Sequence, residues 1–160
     1  MFTTKDILDI AIRFEENGEA VYRKALKQLA NQNMADMLKW IANEETRHRE
    51  WFTEIQKSSE TEGPAPFAAE ISPDLFQDFI GKQAFSLEEV DFKRVEKPSE
   101  LIEIFIEFEQ DTILFYEILE PFIQDTEALA QLHSIIAEEK EHIEKLTIML
   151  DMEESDLVEQ

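Results

Sequence analysis

Glu44-Glu45-Thr46-Arg47-His48 and, 94 positions further on, Glu138-Glu139-Lys140-Glu141-His142 are the two runs whose reading decides the fold. Each interrupts an apolar stripe in the same way. One stripe is Met34, Leu38, Ile41, Glu45, His48, Phe52 and Ile55; the other is Ala128, Leu132, Ile135, Glu139, His142, Leu146 and Met149. Alternating steps of three and four put every member of a stripe on one face of an α-helix. The same offset carries Phe14 to Phe108, Glu15 to Glu109, Tyr22 to Tyr116, Leu38 to Leu132 and Ile41 to Ile135, with no insertion. The chain therefore contains a helix pair and its repeat.

Working outward, glycine and proline mark where helices stop. From Thr3 to Ser59 there is one glycine and no proline; from Gly63 to Pro98 there are two glycines and four prolines; from Ser99 to Gln160 only Pro121 interrupts. The first helix is expected from Thr3, a capping hydroxyl, with Asp6 in its first turn and Leu8, Ala11, Tyr22, Ala25 and Leu29 inside. The second begins near Asn33. The third follows Pro98, with Ile102, Phe105, Tyr116 and Leu119 inside, and the fourth begins near Asp125. These make an all-α four-helix bundle in one domain, 1–160: a helix pair over 3–59, a crossover over 60–98, a second pair over 99–152 and an acidic tail over 153–160. A helix of about 26 residues is about 39 Å long, so a long crossover is what lets helix 3 start back beside helix 2. Within it, Ser72-Pro73 reads as the cap and first position of a short helix through Phe79 and Ile80. That helix either covers an edge of the bundle or meets a second subunit.

The polar residues inside the stripes carry the chemistry. Glu15 lies between Ala11 and Tyr22 on the inner face of helix 1, and Glu109 lies between Phe105 and Tyr116 on helix 3. With Glu45, His48, Glu139 and His142 they fall at mid-helix, so all six are expected at one level of the core. Unpaired buried charge costs several kcal/mol. No Lys or Arg occupies the inner stripes, whereas two divalent cations would cancel four carboxylates. Glu-x-x-His places both side chains on one helical face, where they reach one metal. A metal-free bundle whose inner polar groups satisfy one another is the alternative; it would fold indifferently to chelators.

In these residues the sequence resembles the ferritin-like di-iron carboxylate proteins, and more closely their rubrerythrin-like branch. Phe14-Glu15-Glu16-Asn17-Gly18 through Tyr22, with residues 44–48, resembles the first metal-binding pair; Phe108-Glu109 through Phe115-Tyr116, with residues 138–142, resembles the second. The resemblance covers all four helices and implies a ferritin-like four-helix bundle holding two iron ions, with manganese or zinc as other occupants. It implies that Glu15 and Glu109 are terminal ligands, one to each iron. Glu45 and Glu139 would bridge, and His48 and His142 would each give one nitrogen. Tyr22 and Tyr116 would donate to ligand carboxylates or relay single electrons; the alternative is a core aromatic with its hydroxyl satisfied elsewhere. The implied function is an oxidoreductase reacting with H2O2 or O2, in peroxide defence or Fe²⁺ oxidation, with iron storage or delivery as the alternative.

Two departures qualify that pattern. The peroxidase members carry a further Glu three residues after the helix 3 ligand, where this chain has Thr112, with Gly18 as its repeat counterpart. The six-ligand set is therefore nearer to a bacterioferritin ferroxidase centre. There is also no cysteine, hence no Cys₄ rubredoxin module, and a peroxidase cycle would draw on an external electron donor such as rubredoxin. By the same resemblance the long crossover fits a homodimer better than a closed cage.

Composition narrows the remaining classes. Fifteen Lys and Arg against 37 Asp and Glu give a net charge of −22, which repels nucleic acid and anionic membrane alike. Lys5, Asp6 and Asp9 break up any apolar leader core, and the longest uncharged run, Ala128 to Ala137, is about half of the ~20 residues that a membrane span needs. The expectation is a cytoplasmic protein. His133 reads as a surface residue, Trp40 and Trp51 as packing or interface residues, and the acidic tail as a solvated helix end. No nucleophilic triad, phosphate loop or dinucleotide fingerprint is present.

Overall fold

Long apolar stripes without proline become long helices. The computed structural model describes residues 4–27, 32–58, 97–123 and 125–158. Helix α1 runs Thr4–Leu26, α2 Gln32–Ser58, α3 Pro98–Leu119 and α4 Thr126–Val158, with a 3₁₀ turn at Glu120–Phe122. Thr3, Leu29, most of the crossover and its expected helix at Pro73–Ile80 lie outside the described residues.

Helix starts follow from local chemistry. Pro98 opens α3, where its missing N–H costs nothing, and it holds Lys97 extended at φ −125°, ψ 140°. Asp125 caps α4: its Oδ2 accepts from the Ala128 N–H at 3.1 Å while its carbonyl accepts from Leu129 at 2.9 Å. Pro121 cannot extend α3 and sits in the 3₁₀ turn that ends it. At the other end of α4 the helix continues to Val158, through most of the acidic stretch.

Side-chain pairing fixes the helix directions. Tyr22 of α1 meets Glu109 of α3 while Tyr116 of α3 meets Glu15 of α1, so these two helices are antiparallel. His48 of α2 meets Glu139 of α4 while His142 of α4 approaches Glu45 of α2, so these are antiparallel too. The short links make α1–α2 and α3–α4 antiparallel neighbours as well. It follows that α2 and α3 point the same way. A bundle so arranged needs a connection as long as a helix between them, which is what residues 59–96 supply in chain length.

The core divides into two apolar clusters. Leu8, Ala11, Phe14, Phe52, Phe115, Tyr116 and Leu132 belong to one; Tyr22, Ala25, Leu38, Ile41, Phe105, Leu146 and Met149 belong to the other. Aromatic contacts knit each of them: Phe14 to Phe115 at 5.0 Å and Phe52 to Tyr116 at 5.1 Å in the first, Tyr22 to Phe105 at 4.6 Å in the second. Burying each such side chain contributes about 2–3 kcal/mol. On α1, α2 and α4 the inward polar residues separate the two clusters in sequence, while on α3 Phe108 of the first cluster comes directly before Glu109; apolar packing thus lies on both sides of the polar layer. Ile55 and Ala128, at the ends of their stripes, are only half-buried. Among the described residues no helix is long and apolar enough to cross a membrane.

Candidate metal centre

The structure brings all six inward polar residues together. Glu15, Glu45, His48, Glu109, Glu139 and His142 are each 0% exposed. Their donor atoms form two quartets, each within 4.8 Å: Glu15, Glu45, His48 and Glu139, and Glu45, Glu109, Glu139 and His142. Glu45 and Glu139 belong to both. Each quartet thus takes one private carboxylate, one private imidazole and two shared carboxylates, as the repeat demands.

Glu139 lies between the two imidazoles. Its Oε1 is 2.9 Å from His48 Nδ1 and its Oε2 is 3.0 Å from His142 Nδ1. His48 Nδ1 also lies 3.5 Å from Glu15 Oε1, and His142 Nδ1 lies 3.5 Å from Glu45 Oε1 and 3.7 Å from Glu109 Oε1. The rings stack with centroids 6.2 Å apart. Each histidine therefore presents Nδ1 to the cluster.

Two tyrosines hold the private carboxylates, and they do so crosswise. The Tyr22 hydroxyl donates to Glu109 Oε1 at 2.5 Å and the Tyr116 hydroxyl donates to Glu15 Oε1. Each half of the repeat lends its tyrosine to the other half's glutamate. Burial, reinforced by the neighbouring carboxylates, pushes both phenols well above their ordinary range, so they remain donors.

Without a cation, protons carry the charge balance. Burial, with the charges of Glu139, Glu15 and Glu109, pushes the Glu45 carboxyl well above the carboxylate range. Burial, with Glu139 beside it, raises Glu109 to about 8. Burial also acts to raise Glu139, but hydrogen bonds from Glu109, His142 and His48 outweigh it and bring that carboxyl to about 2. Burial opposes charge on His142, yet its bonds to Glu109 and Glu139 lift it to about 10. His48 is raised well above the ordinary range, burial being overcome by the Glu15 charge and by bonds to Glu138 and Glu139.

The donor set fits a metal pair. Glu15 Oε2, both oxygens of Glu45 and Glu109 Oε2 are buried without a hydrogen-bond partner. A core seldom tolerates such orphans, because each forfeits about 1–3 kcal/mol of solvation. Four unpartnered carboxylate oxygens facing two imidazole nitrogens are an oxygen- and nitrogen-rich ligand set suited to divalent first-row metals.

The other residues that the sequence singles out lie elsewhere or act differently. Thr112 is buried, but its hydroxyl donates to the Phe108 carbonyl at 2.9 Å, the i−4 bond of its own helix. Gly18 lies against the cluster: a Cβ there would stand 3.3 Å from Glu45 Oε2 and 3.1 Å from Phe108 Cε1. His133 is exposed and pairs with Glu120 at 3.2 Å. Sequence reasoning did not assign roles to Glu44, Arg47 and Glu138. Glu138 Oε2 is 2.6 Å from His48 Nε2, and its carboxyl is brought to about 2 by that bond first and by Arg47. The available signal was position alone, since Glu44 and Glu138 are repeat counterparts four residues before the histidines.

Comparisons with known proteins give a family and a structural likeness. The family model described as Rubrerythrin matches residues 6–150. A crystal structure from Thermotoga maritima, described as that of a candidate ferritin-like diiron-carboxylate protein, is 28% identical with a TM-score of 0.68. The match covers 94% of this chain and 95% of that one. No functionally curated protein matches the sequence.

Proposed function

Because the chain belongs to the rubrerythrin family, we propose that it is a di-iron carboxylate oxidoreductase acting on H2O2 or O2. The observation that carries this reading is the pair of buried quartets sharing Glu45 and Glu139. Glu15 and His48 would hold one iron, Glu109 and His142 the other, and Glu45 and Glu139 would bridge them. Two Fe²⁺ ions match the four carboxylates in charge. Iron bound there supplies the electrons that reduce the oxidant.

The chain's own residues do the rest. Tyr22 and Tyr116 hold the terminal carboxylates in place and keep a phenolic proton within hydrogen-bond reach of each. The apolar clusters on either side exclude water. Glu45, with neither oxygen committed to a hydrogen bond, is free to change its denticity as charge at the centre changes. These 160 residues hold no cysteine, and the donor we assign to repeated turnover is one such as rubredoxin. Family resemblance supports a cytoplasmic reaction and a homodimeric assembly.

The test is anaerobic Fe²⁺ titration of metal-free protein, followed by O2 or H2O2, with near-ultraviolet absorbance as the readout. Saturation at two irons per chain and rapid oxidation support the proposal, and the faster oxidant distinguishes peroxidase from ferroxidase behaviour. Iron retained well beyond two per chain would favour storage instead. Stoichiometric binding of two irons by Glu45→Ala or Glu139→Ala would sink the bridging assignment.

A further inference from the structure

His48 belongs to two ligand groups at once. Its Nδ1 faces Glu139 and Glu15 in the core, whereas its Nε2 faces Glu138. Donor atoms of Glu44, His48 and Glu138 lie within 4.8 Å of one another, forming a third group immediately outside the first quartet. Among the described residues this outer group borders a cavity, with Glu138 29% and Arg47 55% exposed. Arg47, His48 and Glu138 help to line a cavity of about 370 Å³ between α2 and α4, together with Glu50, Glu54, Trp51 and Ser134. A cation already sits on the group: Arg47 Nη2 lies 2.5 Å from Glu138 and 2.6 Å from Glu44.

The other histidine is surrounded differently, although the repeat is otherwise faithful. Where the open side has Ser134, the repeat counterpart is Trp40, whose indole stands edge-on to the His142 ring at 5.2 Å. Where the open side has Trp51, the counterpart is Lys145, whose ammonium lies 3.9 Å over that indole. His142 Nε2 has no hydrogen-bond partner where His48 Nε2 has Glu138. On that side an approaching cation meets the Trp40 indole, covered by a Lys145 ammonium that also pairs with Glu141 at 3.3 Å.

We propose that divalent cations reach the centre past His48 rather than past His142, through the cavity between α2 and α4, with Glu44, His48 and Glu138 as a staging group that Arg47 occupies until a metal displaces it. The inference rests on the reading of the core cluster as a metal centre and adds how that centre is filled. Carboxylates at the cavity walls attract a hydrated cation, and the −22 net charge strengthens the attraction at low salt. The Arg47 guanidinium is half-exposed, so solvent weakens its two ion pairs and a divalent cation can take its place. From the staging group the ion passes the His48 ring, whose second nitrogen already faces the inner quartet.

The test uses the full metal-free chain and Co²⁺, following visible absorbance in a stopped-flow instrument at low ionic strength. Glu138→Gln and Ser134→Trp should each slow loading at least tenfold, and Ser134→Trp should do so with the final spectrum and stoichiometry of the parent chain. Arg47→Gln should load several-fold faster. Glu144→Gln, which removes the same charge at the repeat counterpart of Glu50, should load within twofold of the parent. If Glu138 only orients His48, Glu138→Gln would weaken final binding while Ser134→Trp and Arg47→Gln loaded at the parental rate, and the route would be refuted. Should Ser134→Trp not fold, Ser134→Leu and Arg47→Gln carry the same opposite-sign expectation. Failure of the parent chain to take up Co²⁺ overturns the metal centre itself; normal uptake with unchanged variant rates overturns the route alone.

Discussion

Replacing Glu109 with Gln should make the metal-free protein more stable and the metal-loaded protein less so. The Glu109 carboxyl is buried and raised from 4.5 to about 8, chiefly by burial and then by Glu139. A group whose folded value is raised holds its proton in the folded state after the unfolded chain has released it. Stability therefore falls as pH rises from 4.5 to 8 and is flat outside that window. At pH 7 the penalty has run for two and a half pH units at about 1.4 kcal/mol each, or about 3 kcal/mol. Glutamine has nearly the same shape and its carbonyl can accept from Tyr22, while its amide takes the place of the unpartnered Oε2. It carries no ionisable penalty. Chemical denaturation of chelator-treated protein should show Glu109→Gln more stable by up to about 3 kcal/mol at pH 7, with the gap closing towards pH 4.5. With saturating metal the order should reverse, because the variant has lost a charged terminal ligand. A variant less stable than the parent at pH 7 without metal, or a gap independent of pH, would refute the account of the cluster as a strained site held for cations.

Further outcomes follow from the same geometry. Metal loading at pH 7 should release about four protons per chain, from Glu45, Glu109, His48 and His142, because the ligands must be deprotonated; a pH-stat titration counts them. Metal removal should lower thermal stability, since a ligand at a thousand times its Kd adds about 4 kcal/mol; calorimetry with and without chelator reads the shift. Tyr22→Phe should cost the metal-free protein about 1–3 kcal/mol by leaving a buried carboxyl oxygen unpartnered, measured by denaturant unfolding. Gly18→Ala gains about 1 kcal/mol of helix propensity, but its Cβ crowds Phe108 and Glu45 Oε2. Its metal affinity should fall while metal-free stability changes by less than that propensity gain; equilibrium Co²⁺ titration checks it.

The helices were legible because each signal that forms them is local: stripe spacing, proline at Pro98 and Pro121, a capping Asp125. The internal offset then made the two halves interchangeable on paper and predicted that six residues meet. Contacts that depend on which helix lies beside which were not legible. The seven-residue spacing from Glu15 to Tyr22 is visible in sequence, yet the Tyr22 hydroxyl reaches Glu109, because α1 and α3 are antiparallel neighbours. Glu44, Arg47 and Glu138 look like ordinary solvated charges on their own helices. Only the pairing of α2 with α4 turns them into a layer over His48. Gly18 was noted as the counterpart of Thr112, but its closeness to Glu45 is a packing fact that no spacing encodes.

The places where the repeat is kept and broken separate two demands on the protein. Inside, the halves supply matching ligands and matching tyrosines, so each metal position would receive the same donor types. Outside, Arg47 faces Glu141 in the alignment of halves, Ser134 faces Trp40 and Trp51 faces Lys145. Equality at the centre needs the inner residues to match; it places no constraint on the outer ones. Access, by contrast, gains from a single opening, since a second would admit water along the opposite face and weaken every interaction among the buried carboxylates. If that division is right, exchanging Trp40 for Ser should open the His142 side. It would raise the Co²⁺ loading rate and reduce the penalty of Ser134→Trp in the double variant, leaving the final stoichiometry unchanged. Additive effects of the two substitutions on the logarithm of the rate would show that the sides do not act as alternative routes, and the argument from broken symmetry would fail.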